Sequence, residues 1–250
     1  MILRNLAKAL REQNWFTVVL EVLIVVVGIF IGLQADAWNE VRKDRLSEHR
    51  YLERIHDELA LDIESIEESI RIAESRRDMG RLLLRALDDP AIVRADPSAF
   101  LRAIEQASYT LSPTISDHTF DEIKFAGNLA IIRDEELRSG LSAYYKLIER
   151  YEQWAYVRAH AQNTYNDRQL GILTAMQKNK FLDFDYTDEF TVADATQALE
   201  RMREKADFVA HIPQASSHGY AIVTYRDWLE AAQDLRDRIS VALGLPQEHC

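Results

Sequence analysis

From Trp15 to Leu33 the chain is almost wholly apolar, WFTVVLEVLIVVVGIFIGL, and the only formal charge in it is Glu21. At about 1.5 Å rise per residue this run makes roughly 28 Å of helix, close to the roughly 30 Å hydrocarbon core of a bilayer. Its valines and isoleucines are compatible with a helix in lipid, where the backbone must satisfy its own hydrogen bonds. Beyond Gln34 the pattern changes. Apolar residues recur at steps of three and four: Leu52, Ile55, Leu59, Ile63, Ile66, Ile70, Ala73, Gly80, Leu84 and Leu87. This spacing predicts a stalk helix over 34–88 that continues the span, ended by Asp88-Asp89-Pro90 and bent, if anywhere, at Met79-Gly80. A 3.5-residue repeat suits coiled-coil packing, against later helices of the same chain or against a second copy. Glu64, Glu67, Glu68 and Arg71 form its solvated face.

The rest of the chain, 89–250, is a succession of shorter helical signals. Asp96-Pro97 places an N-cap before a proline at the first helical position, opening a helix through Phe100, Leu101 and Ile104. Ser112-Pro113 closes that region, and a short helix from about His118 ends at Gly127, a left-handed cap. Asp134 is an N-cap candidate for a long helix marked by Leu137, Leu141, Tyr144, Ile148, Tyr151, Ala155, Gln162 and Tyr165, running to about Lys178. After the acidic aromatic connection 179–190, Thr191 and Asp194 resemble a capping box. The stripe Val192, Ala195, Leu199, Met202, Ala206 and Val209 then predicts one helix ending before Pro213. A last helix runs from Gly219 to a stop at Gly244-Leu245-Pro246. The fold class is therefore all-α: a basic tail (1–14), a transmembrane helix (15–33), a stalk (34–88) and an antiparallel helical bundle (89–250).

At 100° per residue Glu21, Gly28 and Gly32 fall on one line, with Asn14, Thr17, Ala35 and Asn39 near it. Gly28 and Gly32 form a GxxxG unit, which lets two helix backbones approach closely. Glu21, Gly28, Gly32, Ala35 and Asn39 thus make a candidate association face, with Trp15 and Trp38 as anchors at the two interfaces. Glu21 has three readings: a carboxylate snorkelling to the interface, a buried contact with a partner helix, or a proton carrier as in the single-span stator subunits of ion-driven motors. Arg4, Lys8 and Arg11 with Ala35-Asp36-Ala37 also fit a cleaved signal peptide, but the apolar run is too long for one and leads into strongly helical sequence.

Composition sharpens this picture. Glycine (8) and proline (5) are scarce, as in all-helical proteins, and a net charge of −11 argues against nucleic acid and against docking on anionic lipid. Cys250 is the only cysteine, which excludes an internal disulfide or a cysteine metal cluster. Arg42, Lys43 and Arg45 after the span match the three basic residues before it, so charge does not decide orientation. A short basic tail retained in the cytoplasm would place the helical domain in the periplasm.

Candidate chemistry is sparse. Glu53 and His56, with His49 one turn earlier, give a single E-x-x-H where a di-iron bundle needs two. Asp183, Asp185 and Thr187 begin like a calcium loop, but Asp188 stands where glycine is required. Asp117, His118 and Thr119 read as a helix cap, and Arg133-Asp134 as a turn. No P-loop, GxSxG or GxGxxG is present, so no enzyme, metal or cofactor is expected.

Asn14-Trp15, Glu21, Gly28, Gly32-Leu33-Gln34, Trp38-Asn39-Glu40 and Arg42 resemble a family of uncharacterised bacterial single-span membrane proteins built around a domain of unknown function. Tyr51-Leu52, Glu58-Leu59, Asp121-Glu122-Ile123-Lys124, Gly127-Asn128-Leu129, Ile131-Ile132, Glu136-Leu137-Arg138 and Tyr144-Tyr145 are similar to its later segments. The resemblance implies an anchored helical protein and no activity. The expectation is a single-pass protein of the bacterial inner membrane, a scaffold or interaction protein that associates with itself or with another membrane protein. The alternatives are a ligand-sensing bundle and a stator-like subunit.

Overall fold

The computed structural model of the protein describes residues 15–152, 155–182 and 190–246. The architecture is all-α, with no strand among the described residues. Helix α1, Trp15–Asp88, is continuous over 74 residues. It ends at Asp88, as the Asp-Asp-Pro sequence predicts, and Asp89 Oδ1 accepts the Ala91 N–H just beyond it at 2.9 Å.

At Met79-Gly80, the place the sequence offers for a bend, the helix passes through both residues without a break. Gly80 serves a close approach instead. A Cβ there would fall 1.9 Å from Ser216 Oγ and 2.4 Å from Ser216 Cβ, distances no pair of side chains adopts.

The chain divides into two compact units, Met1–Tyr51 and Leu52–Cys250, the boundary falling inside α1. In the first unit α1 is long and apolar enough to cross a membrane. Its most apolar window has a mean hydropathy of 1.8, and none of that window is buried.

The second unit adds α2 (Ala91–Ala95), α3 (Pro97–Gln106), α4 (His118–Phe125), a 3-10 turn (Leu129–Ile131), α5 (Glu135–Glu152), α6 (Ala155–Gln169), α7 (Ala175–Leu182), α8 (Val192–Glu204), α9 (Ala206–Ala215) and α10 (Gly219–Leu243). Most ends carry the chemistry the sequence predicts. Asp96 accepts from Ala99 N at 2.8 Å, and Asp134 from Glu136 N and Leu137 N at 2.9 and 3.1 Å. Thr191 and Asp194 form a reciprocal capping box. Gly127 and Gly244 take left-handed conformations, φ 66° and 71°, that close α4 and α10.

Two boundaries differ from expectation. The helix predicted to run to Lys178 stops at Gln169, where Gly171 (φ 86°) turns the chain before α7. The helix predicted over 192–212 breaks at Lys205 rather than before Pro213. Lys205 (φ −102°, ψ 74°) separates α8 from α9, and Pro213 sits in the closing turns of α9. The break frees α9 to pack on α6, where Phe208 meets Tyr165 with ring centroids 4.9 Å apart.

One core joins the C-terminal turns of α1 (Leu83, Ala86) to α2, α3, α6, α8 and α9 through Phe100, Ile104, Tyr165, Met202 and Phe208. Further along α1, Leu52, Ile55, Leu59 and Ile66 are buried, as are apolar residues of α4, α5 and α10. Here the register is antiparallel. His56 meets Ser240 and Glu74 meets Arg226 between α1 and α10, while Glu58 meets Thr119 and Arg54 meets Glu122 between α1 and α4.

Candidate functional site

The buried stripe of α1 does not follow the greasiest residues. From Leu52, Ile55 and Leu59 the strict alternation of three and four lands on Asp62, Ile66, Ser69 and Ala73, and all of these are buried, whereas Ile63 and Ile70 are only half-buried. Asp62 is wholly inaccessible, 0% exposed. Its Oδ1 accepts the Ser116 N–H at 2.8 Å and its Oδ2 accepts the Tyr144 hydroxyl at 2.9 Å. Burial pushes its pKa up to about 6 against the pull of these two donors, and the neighbouring Glu58 charge raises it further.

Asp62 is the middle of a ladder. One turn to either side, Ser65 Oγ accepts from Thr114 N at 2.8 Å, and Glu58 accepts from Thr119 Oγ1 at 2.6 Å and Thr119 N at 3.4 Å. Three polar side chains on one stripe of α1 thereby hold the segment 114–119. Asp117, read from sequence as the cap of the following helix, precedes α4 without a side-chain capping bond. Glu58 of α1 meets the free N–H at the start of α4 in its place.

The same segment walls a cleft of about 670 Å³. Pro113, Ile115 and Phe120 line one side, Tyr145, Ile148 and Tyr151 of α5 another, and Arg158 of α6 and Trp228 of α10 complete the lining. The ring of Phe120 stacks on Tyr145 at 4.4 Å, and Tyr151 packs edge-on against Trp228 at 5.1 Å. Burial raises the hydroxyls of Tyr145 and Tyr151 above the ordinary tyrosine range, so both stay protonated at neutral pH. The Tyr145 hydroxyl donates to the Ser116 carbonyl at 3.1 Å. Arg158 lies with its guanidinium carbon 4.1 Å from the Tyr151 ring centroid, and one of its nitrogens donates to Ser112 Oγ at 3.1 Å. The lining balances Asp117, Asp121 and Glu149 against Lys124, Lys146 and Arg158. The cleft is mixed in character, with aromatic and aliphatic surface interleaved with these charged groups, and its volume lies within the roughly 300–1,000 Å³ common for small-molecule sites.

Sequence reasoning singled out none of Asp62, Tyr144, Arg158 and Trp228 for chemistry. A signal for Asp62 was present, since strict alternation from Leu59 reaches position 62. Arg158 and Trp228 are brought together only by packing. Of the sequence-predicted residues, Gly28, Gly32, Ala35 and Asn39 lie exposed on α1, and no atom comes within 4 Å of a Cβ built on either glycine. Trp38 is exposed. Glu21 and Trp15 belong to α1, but their side chains lie outside the described residues. Glu53 is exposed, and His56 is engaged by Ser240 Oγ at 3.1 Å and Asp57 at 3.5 Å. Asp183, Asp185 and Thr187 fall outside the described residues. Comparison of the chain with protein-family models, with curated proteins and with solved structures found no match.

Proposed function

We propose that this is a single-pass protein of the bacterial cytoplasmic membrane, of the kind it resembles in sequence, whose periplasmic helical domain binds a small molecule and passes the occupancy of its cleft to α1. The chain acts by binding rather than by catalysis. One observation carries the reading: segment 112–120 contributes Pro113, Ile115 and Phe120 to the cleft and is fastened through Thr114, Ser116 and Thr119 to Ser65, Asp62 and Glu58 of α1. A ligand that displaces this segment acts on the helix that also carries the apolar run. Asp62 supports the reading as well, because a carboxylate at a core position is a poor choice for stability alone.

The test is amide hydrogen exchange on the full chain in nanodiscs, after a thermal-shift screen has found a stabilising compound. Saturation of the cleft is expected to change protection in 112–120 and in 55–66 together. Changed protection in 112–120 with 55–66 untouched rejects transmission to α1.

The scaffold reading keeps a specific support of its own. Gly28 and Gly32 stand one turn apart on an exposed apolar helix with open space above both, the arrangement a second helix needs for close approach. Association of two copies through this face, with Glu21 and Asn39 along it, is compatible with sensing and supplies it with a partner.

A further inference from the structure

We infer that segment 112–120 is a proton-operated latch on α1, closed while Asp62 carries a proton and released when that carboxyl ionises. The inference needs no ligand in the cleft, so it stands apart from the binding reading above.

Of the three ties between this segment and α1, the middle one, from the Ser116 N–H to Asp62, ends on a group wholly closed to solvent, whereas Ser65 and Glu58 are only half-buried. No cation is within ion-pair distance of Asp62 among the described residues. The charge that bears on it from α1 is that of Glu58, another acid. The segment and α4 add Asp117 and Asp121, and α5 adds the protonated hydroxyls of Tyr144 and Tyr145. The cations around this site are engaged elsewhere. Lys124 stands 3.9 Å from Asp121 and Arg54 2.8 Å from Glu122, and on α10 Arg238, beside Tyr144, is 2.9 Å from Asp234.

A carboxylate so placed has two neutral donors, the Ser116 N–H and the Tyr144 hydroxyl, to set against lost hydration and like charge. The protonated acid keeps both ties without a buried charge: Oδ1 still accepts from Ser116, and Oδ2 donates to the Tyr144 oxygen. Burial accordingly lifts the Asp62 pKa to about 6.

The segment is free to respond. Residues 109–117 belong to no helix, so leaving α1 unwinds nothing. On the cleft side Ser116 O accepts from the Tyr145 hydroxyl and Ser112 Oγ from Arg158, and neither a protonated tyrosine nor a guanidinium changes charge as Asp62 titrates. Ionisation therefore loosens the α1 side alone, and the cleft wall formed by Pro113, Ile115 and Phe120 comes free of the helix. The input is the pH of the compartment that the domain faces.

Amide hydrogen exchange on the full chain in nanodiscs reads the latch directly, because the N–H groups of Thr114, Ser116 and Thr119 are the ones that Ser65, Asp62 and Glu58 accept. Rates at pH 5 and pH 7.5 are corrected for intrinsic exchange. With a pKa of about 6 closed and the ordinary 3.8 open, protection in 112–120 is expected to fall about tenfold between the two and to level off above about pH 7. At pH 7.5 it is expected to lie below that of 100–104 in the α3 core, as local release requires. Asp62→Asn, which does not ionise, is expected to hold protection in 112–120 equal at both pH values within about twofold. Equal protection at both pH values in the unaltered protein would overturn the latch, and that measurement needs no variant to fold. So would a tenfold fall that persists in Asp62→Asn, which would assign the response to another acid. Protection in 112–120 no lower than in 100–104 at pH 7.5 would overturn it as well, since only whole-domain unfolding would then open the segment.

Discussion

Replacing Asp62 by asparagine isolates the consequence of burying an acid in the stripe of α1. The carboxyl is fully buried, and its pKa rises from 3.8 to about 6, chiefly through desolvation. The folded protein therefore holds this proton more tightly than the unfolded chain does. The stability associated with the protonated group is fully present below about pH 3.8 and is lost as pH rises through about 6. At 1.36 kcal/mol per pKa unit the loss is roughly 3 kcal/mol at pH 8. Asparagine has nearly the same shape. Its Oδ1 keeps the Ser116 N–H, and its amide N–H donates to the Tyr144 hydroxyl, which turns from donor to acceptor. Asp62→Asn is accordingly expected to be up to about 3 kcal/mol more stable than the parent at pH 8 and about equal to it near pH 3.5. Urea unfolding of the full chain in mild detergent, followed by circular dichroism at several pH values between 3.5 and 8, reads the difference. Subtracting the two curves removes the titration of every other acid common to both proteins. An asparagine variant less stable than the parent at pH 8, or a difference that does not change between pH 4 and 6.5, would refute the reasoning.

Gly80→Ala is expected to destabilise the domain by about 1–3 kcal/mol, because its methyl overlaps the Ser216 side chain. Ser216→Gly should recover part of that loss in a double-mutant cycle, and additive losses would show that the close approach is not the cause. Thr191→Ala removes one half of a formed capping box and should cost about 1 kcal/mol in thermal unfolding. Phe100→Ala, at a fully buried site of the α2, α3 and α8 core, should cost about 3–5 kcal/mol, and a smaller loss would place the core elsewhere. Gly28→Leu with Gly32→Leu should abolish cross-linked dimers in membranes, and an unchanged dimer yield removes the association face.

The local events of this fold were legible in the chain because their causes lie within a few residues. An apolar run between two tryptophans, a stop at Asp88-Asp89-Pro90, a start at Asp96-Pro97 and left-handed glycines at 127 and 244 need no distant partner. Where the outcome depended on what packs across, sequence alone chose wrongly or was silent. Following the greasiest residues led to Ile63 and Ile70, while the 3.5-residue geometry of a helix laid against its neighbours buried Asp62 and Ser69. Gly80 looked like a hinge, and only the position of Ser216 shows it to be a point of contact. The Lys205 break follows from where α9 must lie to meet Tyr165, which no local preference encodes. The cleft is the furthest from the sequence. Its wall joins Pro113 and Phe120 to Arg158 and to Trp228, residues with no motif among them, and it comes into existence only when α5, α6 and α10 close around segment 112–120. Backbone chemistry set the helices, and burial decided which of their polar atoms were left to act.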